Sequence, residues 1–150
     1  MTLPATVAHG VQQCQEWLKE IRDDADLANE AEAWSVLRAV LHQLRDRLTV
    51  DEAAHLSAQL PLLVRGVYFE GWRPSRVPDP EVHSQQAFLT GVAERLLPHH
   101  LPADRVTRVV FSILAHHIEP GEISDVIGQL PGDIKELWPV SARTFKERMR

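Results

Sequence analysis

The sequence predicts an all-α fold: a single compact helical bundle of two pseudo-symmetric repeats, each of about three to four helices, offset by 70 residues. Two observations support this prediction. A shift of 70 residues aligns positions 33–68 with positions 103–138 without a gap and gives nine identical residues, where chance would give about two or three. Within each copy the apolar residues recur with helical spacing and not with the alternation of a strand.

The clearest helix of the first repeat covers residues 30–47. Its apolar residues follow the i, i+3, i+4, i+7 pattern of one buried face, and Asn29 with Glu32 forms a capping box at its start. Its counterpart in the second repeat covers residues 102–117 and begins with Pro102, a residue suited to the first turn of a helix. The apolar faces of the two helices correspond under the 70-residue shift.

A shorter helix follows in each repeat and ends at a Gln-Leu-Pro sequence, at residues 59–61 and 129–131. Because proline interrupts a helix and suits the start of the next one, we expect a short fourth segment from each proline. The amides of Gln59 and Gln129 are expected to donate to carbonyl groups of the turn before the proline. Alternatively, the two corners form a shared binding surface.

Two glutamates stand in the first turn of these shorter helices. Glu52 follows Thr49 with capping-box spacing, and Glu122 holds the corresponding place after a proline. We expect both carboxylates to reach back to backbone N–H groups that lack a helical partner. Arg38 and Arg108 repeat together with them, so each arginine is expected to approach the glutamate of its own repeat or of the other one.

The chain is expected to form one domain, residues 1–150. Three prolines within ten residues interrupt the helical pattern between the repeats and predict an extended connection there. The predicted parts are repeat one at about 7–70, a proline-rich linker at 71–83, repeat two at about 84–139 and a short basic C-terminal tail at 140–150.

Composition excludes several classes of protein. A formal net charge of −5 argues against nucleic-acid binding, which needs a basic surface. No apolar run is long enough to span a membrane, and residues 1–10 lack the pattern of a secretory signal. Cys14 is the only cysteine, so no internal disulfide can form. We therefore expect a cytoplasmic protein with no membrane and no nucleic-acid partner.

Several segments together resemble a known family. They are Arg47–Gly66, which reads RLTVDEAAHLSAQLPLLVRG, then Tyr68–Trp72, Gly121-Glu122 and Gln129-Leu130-Pro131. They resemble the bacterial domain of unknown function 2267 family, and the likeness covers about residues 7–139. The resemblance implies a helical bacterial protein without an established activity, and it supplies no catalytic residues.

The sharpest chemical pattern is the E-x-x-H spacing of Glu52 and His55, which places both side chains on one helix face and which di-iron helical bundles use. Glu122 and Asp125 have the same spacing in the second repeat. A metal site of these four residues is an alternative prediction. Helices 30–47 and 102–117 offer no further repeated glutamate, and capping would engage Glu52 and Glu122. The sequence therefore favours capping, with no metal and no cofactor.

An aromatic and basic cluster lies before and within the linker. Such residues can contact a partner protein, and we take them as a candidate interaction surface: Arg65, Tyr68, Phe69, Trp72, Arg73 and Arg76. The same aromatic residues could instead seal the seam between the repeats, as Trp138 would in the second one.

The chain lacks a nucleophile elbow, a Walker loop and a dinucleotide-binding motif, which favours a protein without catalytic activity. We expect it to act by protein–protein interaction with an unknown partner or by self-association as a homo-oligomer. The alternatives are the metal-binding protein described above and a small-ligand-binding helical bundle with an apolar cavity between its repeats.

Overall fold

A computed structural model describes residues 2–149, and this part of the chain is all-helical without a β-strand. Two 3₁₀ segments, Pro74–Arg76 and Gly132–Leu137, accompany the α-helices. Within the described part no helix combines the length and the apolar character that crossing a membrane requires. The α-helices are α1 Ala5–Asp24, α2 Glu30–Arg45, α3 Val50–Ser57, α4 Leu62–Phe69, α5 Gln85–Leu96, α6 Ala103–His117, α7 Pro120–Gln129, α8 Val140–Arg143 and α9 Phe145–Arg148.

Helix α2 lies at the centre of the fold and packs against α1, α4, α5 and α6. Its start is confirmed, because the side chain of Asn29 accepts the N–H of Glu32 at 2.9 Å. Ten of its sixteen residues are buried, so its polar groups need partners inside the protein. Arg45, for example, donates to the carbonyl oxygens of Tyr68 and Glu70 at 2.8 and 2.7 Å. These bonds tie the end of α2 to the end of α4.

Side chains from both halves of the chain form one continuous core. Helix α6 packs against α1, α2 and α5, and Phe111 on α6 stacks on Trp138 with ring centroids 4.0 Å apart. The same half contributes Phe88 on α5, whose ring lies 5.8 Å from that of Phe111. The buried aromatic groups therefore hold the second half together, and the packing of α6 on α1 and α2 joins it to the first.

The two Gln-Leu-Pro corners break their helices, but the segments after them differ. α4 is a regular helix, whereas its counterpart at 132–137 is a 3₁₀ segment that begins at Gly132, with φ +50°. There the carboxylate of Asp133 accepts the backbone N–H of Gln85 at 2.6 Å. The backbone carbonyl of Asp133 accepts the side-chain amide of Gln85 at 2.9 Å. These bonds to the start of α5 hold the segment in a form that α4 does not adopt.

Residues 61–70 and 131–140 nevertheless show the same succession of buried, half-buried and exposed positions. This agrees with the predicted offset of 70 residues, while the duplication itself stays a prediction. Between α4 and α5 the chain contains no α-helix, and the N–H of Asp79 donates to the carbonyl of Asp46 at 2.8 Å. The linker is therefore fastened to the C-terminal end of α2.

Candidate metal centre

Helices α3 and α7 pack against each other, and each carries a glutamate as its third residue. One of the two capping-box bonds predicted at the start of α3 is present: the hydroxyl of Thr49 accepts the N–H of Glu52 at 3.2 Å. α7 begins without a side-chain cap of this kind and has proline at its first position. Glu52 and Glu122 therefore both stand in a first turn, near the crossing of the two helices.

The prediction that the carboxylates of Glu52 and Glu122 reach back to backbone N–H groups is wrong for both residues. The N–H of Thr49 donates to the side-chain oxygen of Gln129 at 3.1 Å, and the N–H of Glu119 donates to that of Gln59 at 2.9 Å. Each glutamine at the end of one helix thus caps the start of the other helix. The expectation that these glutamines donate to their own preceding turns is also wrong, since they join the two halves of the chain.

Because the glutamines supply the caps, the two glutamates are free to meet between the helices. Glu52 is only 7% exposed, and its Oε2 atom is buried without a hydrogen-bond donor among residues 2–149. The same holds for Oε1 of Glu122. Burial, followed by the hydrogen bond to Glu52 and the negative charges of Glu52 and Asp125, raises the pKa of Glu122 to about 8. The pair therefore holds a proton at neutral pH.

His55 completes this arrangement. One atom from each of Glu52, His55 and Glu122 lies within 4.8 Å of the other two, so three of the four residues in the predicted metal site are brought together. The fourth residue, Asp125, is not in this group; its Oδ1 atom lies 3.5 Å from Nζ of Lys146 on α9. The cluster offers two carboxylate oxygens and one imidazole nitrogen, a donor set suited to first-row divalent metals.

The predicted arginine contacts with these glutamates are wrong. Arg38 instead donates to Glu70 at the end of α4, at 2.7 Å. Arg108 binds the carboxylate of Asp104 on its own helix and donates to the carbonyl of Glu136 at 3.0 Å. These contacts leave Glu52 and Glu122 without an arginine partner within the described residues.

The candidate interaction surface divides into buried and exposed parts. Tyr68 is fully buried and donates to the carbonyl of Ala53 at 2.9 Å, and burial raises its pKa well above the ordinary value. Arg65 donates to three carbonyls at the end of α3. The aromatic rings of Phe69 and Trp72 are half-buried and 5.3 Å apart. The remaining members of the cluster are the exposed Arg73 and Arg76.

The small-ligand alternative required an apolar cavity between the repeats. A cavity of about 610 Å³ lies between α2, α5 and the linker. Its wall is mostly polar and includes Gln43, Thr90, Glu94 and Arg95. None of these four is identical to its counterpart 70 residues away. This cavity therefore differs from the apolar one that the hypothesis requires.

Comparison with known proteins gives one finding. The family model described as Uncharacterized conserved protein (DUF2267) matches residues 14–137, which includes α3, α7 and the three clustered side chains. No curated protein sequence matches the chain closely enough to count as a relative. The match confirms the resemblance seen in the sequence, and the description carries no activity.

Proposed function

Since the chain belongs to the DUF2267 family, whose description names no activity, we propose a function from the chain's own geometry: it binds a divalent transition-metal ion between α3 and α7. Glu52, His55 and Glu122 are the proposed ligands. The observation that supports this proposal is the grouping of one ligand atom from each of these residues within 4.8 Å of the others. Each glutamate also has one buried carboxylate oxygen without a hydrogen-bond donor among residues 2–149.

The physical argument starts from the cost of burying two carboxylates side by side. Two like charges in a poorly solvated place repel each other, so the pair needs either a shared proton or a cation between the carboxylates. Neither Arg38 nor Arg108 supplies one, because both are engaged elsewhere. A metal ion would displace the proton that the pair holds and compensate both carboxylates at once.

The donor set narrows the choice of metal. Ca²⁺ and Mg²⁺ prefer all-oxygen sites, whereas an imidazole with two carboxylates suits Zn²⁺, Mn²⁺, Fe²⁺ or Co²⁺. Three protein ligands leave at least one coordination position for water or for another group. The edge of the cluster is accessible, because His55 is exposed while Glu52 is buried.

Metal binding would also connect the two halves of the chain, because Glu52 and His55 belong to α3 and Glu122 belongs to α7. A ligand that binds only the folded state stabilises it by about 2.7 kcal/mol at a free concentration of 100 times its dissociation constant. The proposed role is therefore partly structural, as an ion that fastens α3 to α7 beside the two glutamine caps.

Cobalt titration tests the proposal. Metal-free protein should develop visible Co²⁺ absorption that saturates at one ion per chain, and Zn²⁺ should displace it. His55→Gln, at an exposed position that the fold tolerates, should weaken binding at least about tenfold because one of three donors is lost. His9→Gln, also exposed, is the matched control and should bind as the wild type does. Equal binding by both variants would show that His55 is not a ligand. The absence of a saturable signal in the wild type would overturn the proposal.

A second candidate function is interaction with a partner protein or with another copy of the chain, as expected from the sequence. It is supported by the exposed Arg73 and Arg76 beside the half-buried ring of Trp72. Light scattering on the wild type and on Trp72→Ala tests self-association. A concentration-dependent dimer that the substitution weakens would support this function, and a monomer at all concentrations would contradict self-association. The cytoplasmic location stays a prediction.

A further inference from the structure

A second cavity, of about 280 Å³, lies at the C-terminal end of α2, between the linker and α5. Four arginines are among the residues that line it: Arg45, Arg73, Arg76 and Arg95. Two aspartates, Asp46 and Asp79, are the acidic groups in the wall. Four guanidinium groups and two carboxylates give the lining a formal charge of +2, in a chain whose net charge is −5.

Two of the four arginines are fixed in place by contacts inside the protein. Arg45 is 2% exposed and binds Asp46 as well as the two carbonyls at the end of α4. Arg95 donates to the buried side chain of Gln43 at 3.0 Å and to Asp46 at 2.8 Å. Because these guanidinium groups are already ordered, an incoming ligand would lose little side-chain entropy in meeting them.

The other two arginines come from the linker. Arg73 precedes the 3₁₀ turn Pro74–Arg76 and Arg76 is its last residue. Neither arginine makes an ion pair with any residue in the described range 2–149. The nearby acidic groups are occupied, since both oxygens of Asp46 accept from arginines and Asp79 accepts the N–H of Glu81 at 3.0 Å. The excess charge is therefore shared: Arg73 and Arg76 exceed Asp79 by one on the linker, and Arg45 and Arg95 exceed Asp46 by one at the base.

We propose that this cavity binds a phosphate group, with Arg73 and Arg76 closing on it from the linker and the fixed Arg45 and Arg95 forming its base. A guanidinium group presents a planar fork of N–H donors that matches two oxygens of a phosphate, and a dianion balances the +2 charge of the wall. The overall acidity of the chain opposes a long polyanion such as nucleic acid, so the ligand carries one or two phosphates.

The site is separate from the proposed metal centre. Its wall contains none of Glu52, His55 or Glu122, and its ligand has the opposite charge. The phosphate could belong to a soluble phosphorylated molecule or to a lipid headgroup, and the shared chemistry is a phosphate monoester or free phosphate beside several guanidinium groups. The linker would then cover the bound anion and contact it through Arg73 and Arg76.

Calorimetric titration with inorganic phosphate and with pyrophosphate, at constant ionic strength, tests this proposal. We expect saturable binding with one site per chain, tighter for pyrophosphate because it carries more charge. The double variant Arg73→Gln/Arg76→Gln should weaken binding at least about tenfold, since two charge-assisted contacts are lost. Lys19→Gln/Arg105→Gln removes the same charge from exposed positions outside the cavity and should change binding less than about twofold.

Two results would overturn the proposal: no saturable binding by the wild type, or an equal loss in both double variants, which would reveal a general charge effect. Sedimentation with phosphatidic-acid vesicles separates the two sources of phosphate. Co-sedimentation that depends on Arg73 and Arg76 would support a lipid headgroup. Phosphate binding without sedimentation would support a soluble molecule.

Discussion

A carboxylate oxygen of Glu52 and one of Glu122, seventy residues apart in the chain, lie within 4.8 Å of each other between α3 and α7. They can do so because Gln59 and Gln129 cap the helix starts that the two glutamates would otherwise serve. The local sequence thus predicts that each glutamate caps the start of its own helix, but in the fold other residues do so. The glutamines take the capping role, and the glutamates form the cluster from which we propose metal binding.

The crossed glutamine caps should contribute measurably to stability. We expect Gln129→Ala to lower the free energy of unfolding by about 1–2 kcal/mol, because the N–H of Thr49 and the start of α3 lose their acceptor. Urea unfolding measures this value. Gln86→Ala, at an exposed position of α5, is the control and should change stability by less than about 0.5 kcal/mol. Equal effects would show that the crossed bonds do not matter for stability.

Several helix boundaries could be predicted because their causes are local. Asn29 caps α2 through a residue three positions away, and Pro61 and Pro131 interrupt the chain through their own rings. The partners of Gln59 and Gln129 lie 60 and 80 residues away, so no local pattern specifies them. The available signal was the 70-residue offset, because it relates Gln59 to Gln129 and likewise relates their partners Thr49 and Glu119.

The form of the segment after the second proline also depended on distant residues. Sequence similarity predicted the same short segment after Pro61 and Pro131, but the bonds from Gln85 to Asp133 belong to the second half alone. Likewise, Asp125 forms an ion pair with the distant Lys146 on α9. The three proposed metal ligands could therefore be named from the E-x-x-H and E-x-x-D spacings, but the place of Asp125 outside the cluster could not be predicted.

Tyr68 should behave as a structural residue and not as a contact for a partner. Tyr68→Phe removes the hydrogen bond to the buried carbonyl of Ala53 and should cost about 1–2 kcal/mol in the free energy of unfolding. Chemical denaturation of the purified variant measures this cost. An unchanged stability would show that the hydroxyl group is not needed in the core.

The close approach of α5 to α2 depends on Gly91. A Cβ atom there would lie 2.1 Å from Nε2 of Gln43, whose side chain is buried and bound to Arg95. Gly91→Ala should therefore cost about 1–3 kcal/mol.

A double-mutant cycle checks the cause of this cost. In a Gln43→Ala background the substitution at Gly91 should cost less than about 0.5 kcal/mol, because the clashing atoms are gone. Gly128→Ala, on α7 with open space around its Cβ position, is the control and should stabilise the protein slightly. An undiminished cost in the Gln43→Ala background would place the strain elsewhere.

The glutamate pair should make the stability of the metal-free protein depend on pH. The pKa of Glu122 is raised to about 8 in the folded state, from an ordinary value of 4.5. The folded state therefore binds more protons than the unfolded state in this range, and stability falls as pH rises from about 4.5 to 8.

Glu122→Gln removes this titration and should reduce the loss by on the order of 1 kcal/mol, a value lowered by solvent screening at this half-buried position. Urea unfolding at several pH values, with a chelator present, compares the wild type with the variant. Glu16→Gln, at an exposed position of α1, is the control and should follow the wild type. Parallel curves for the wild type and Glu122→Gln would contradict the shared proton.

The most direct test of metal binding is a crystal structure of the protein prepared with Zn²⁺, with anomalous scattering measured at the zinc edge. We predict one strong peak between α3 and α7, with the oxygens of Glu52 and Glu122 and a ring nitrogen of His55 each at about 2.0–2.2 Å from it. Zinc bound only at other histidines, with the Glu52 and Glu122 carboxyl groups still paired to each other, would contradict the proposal.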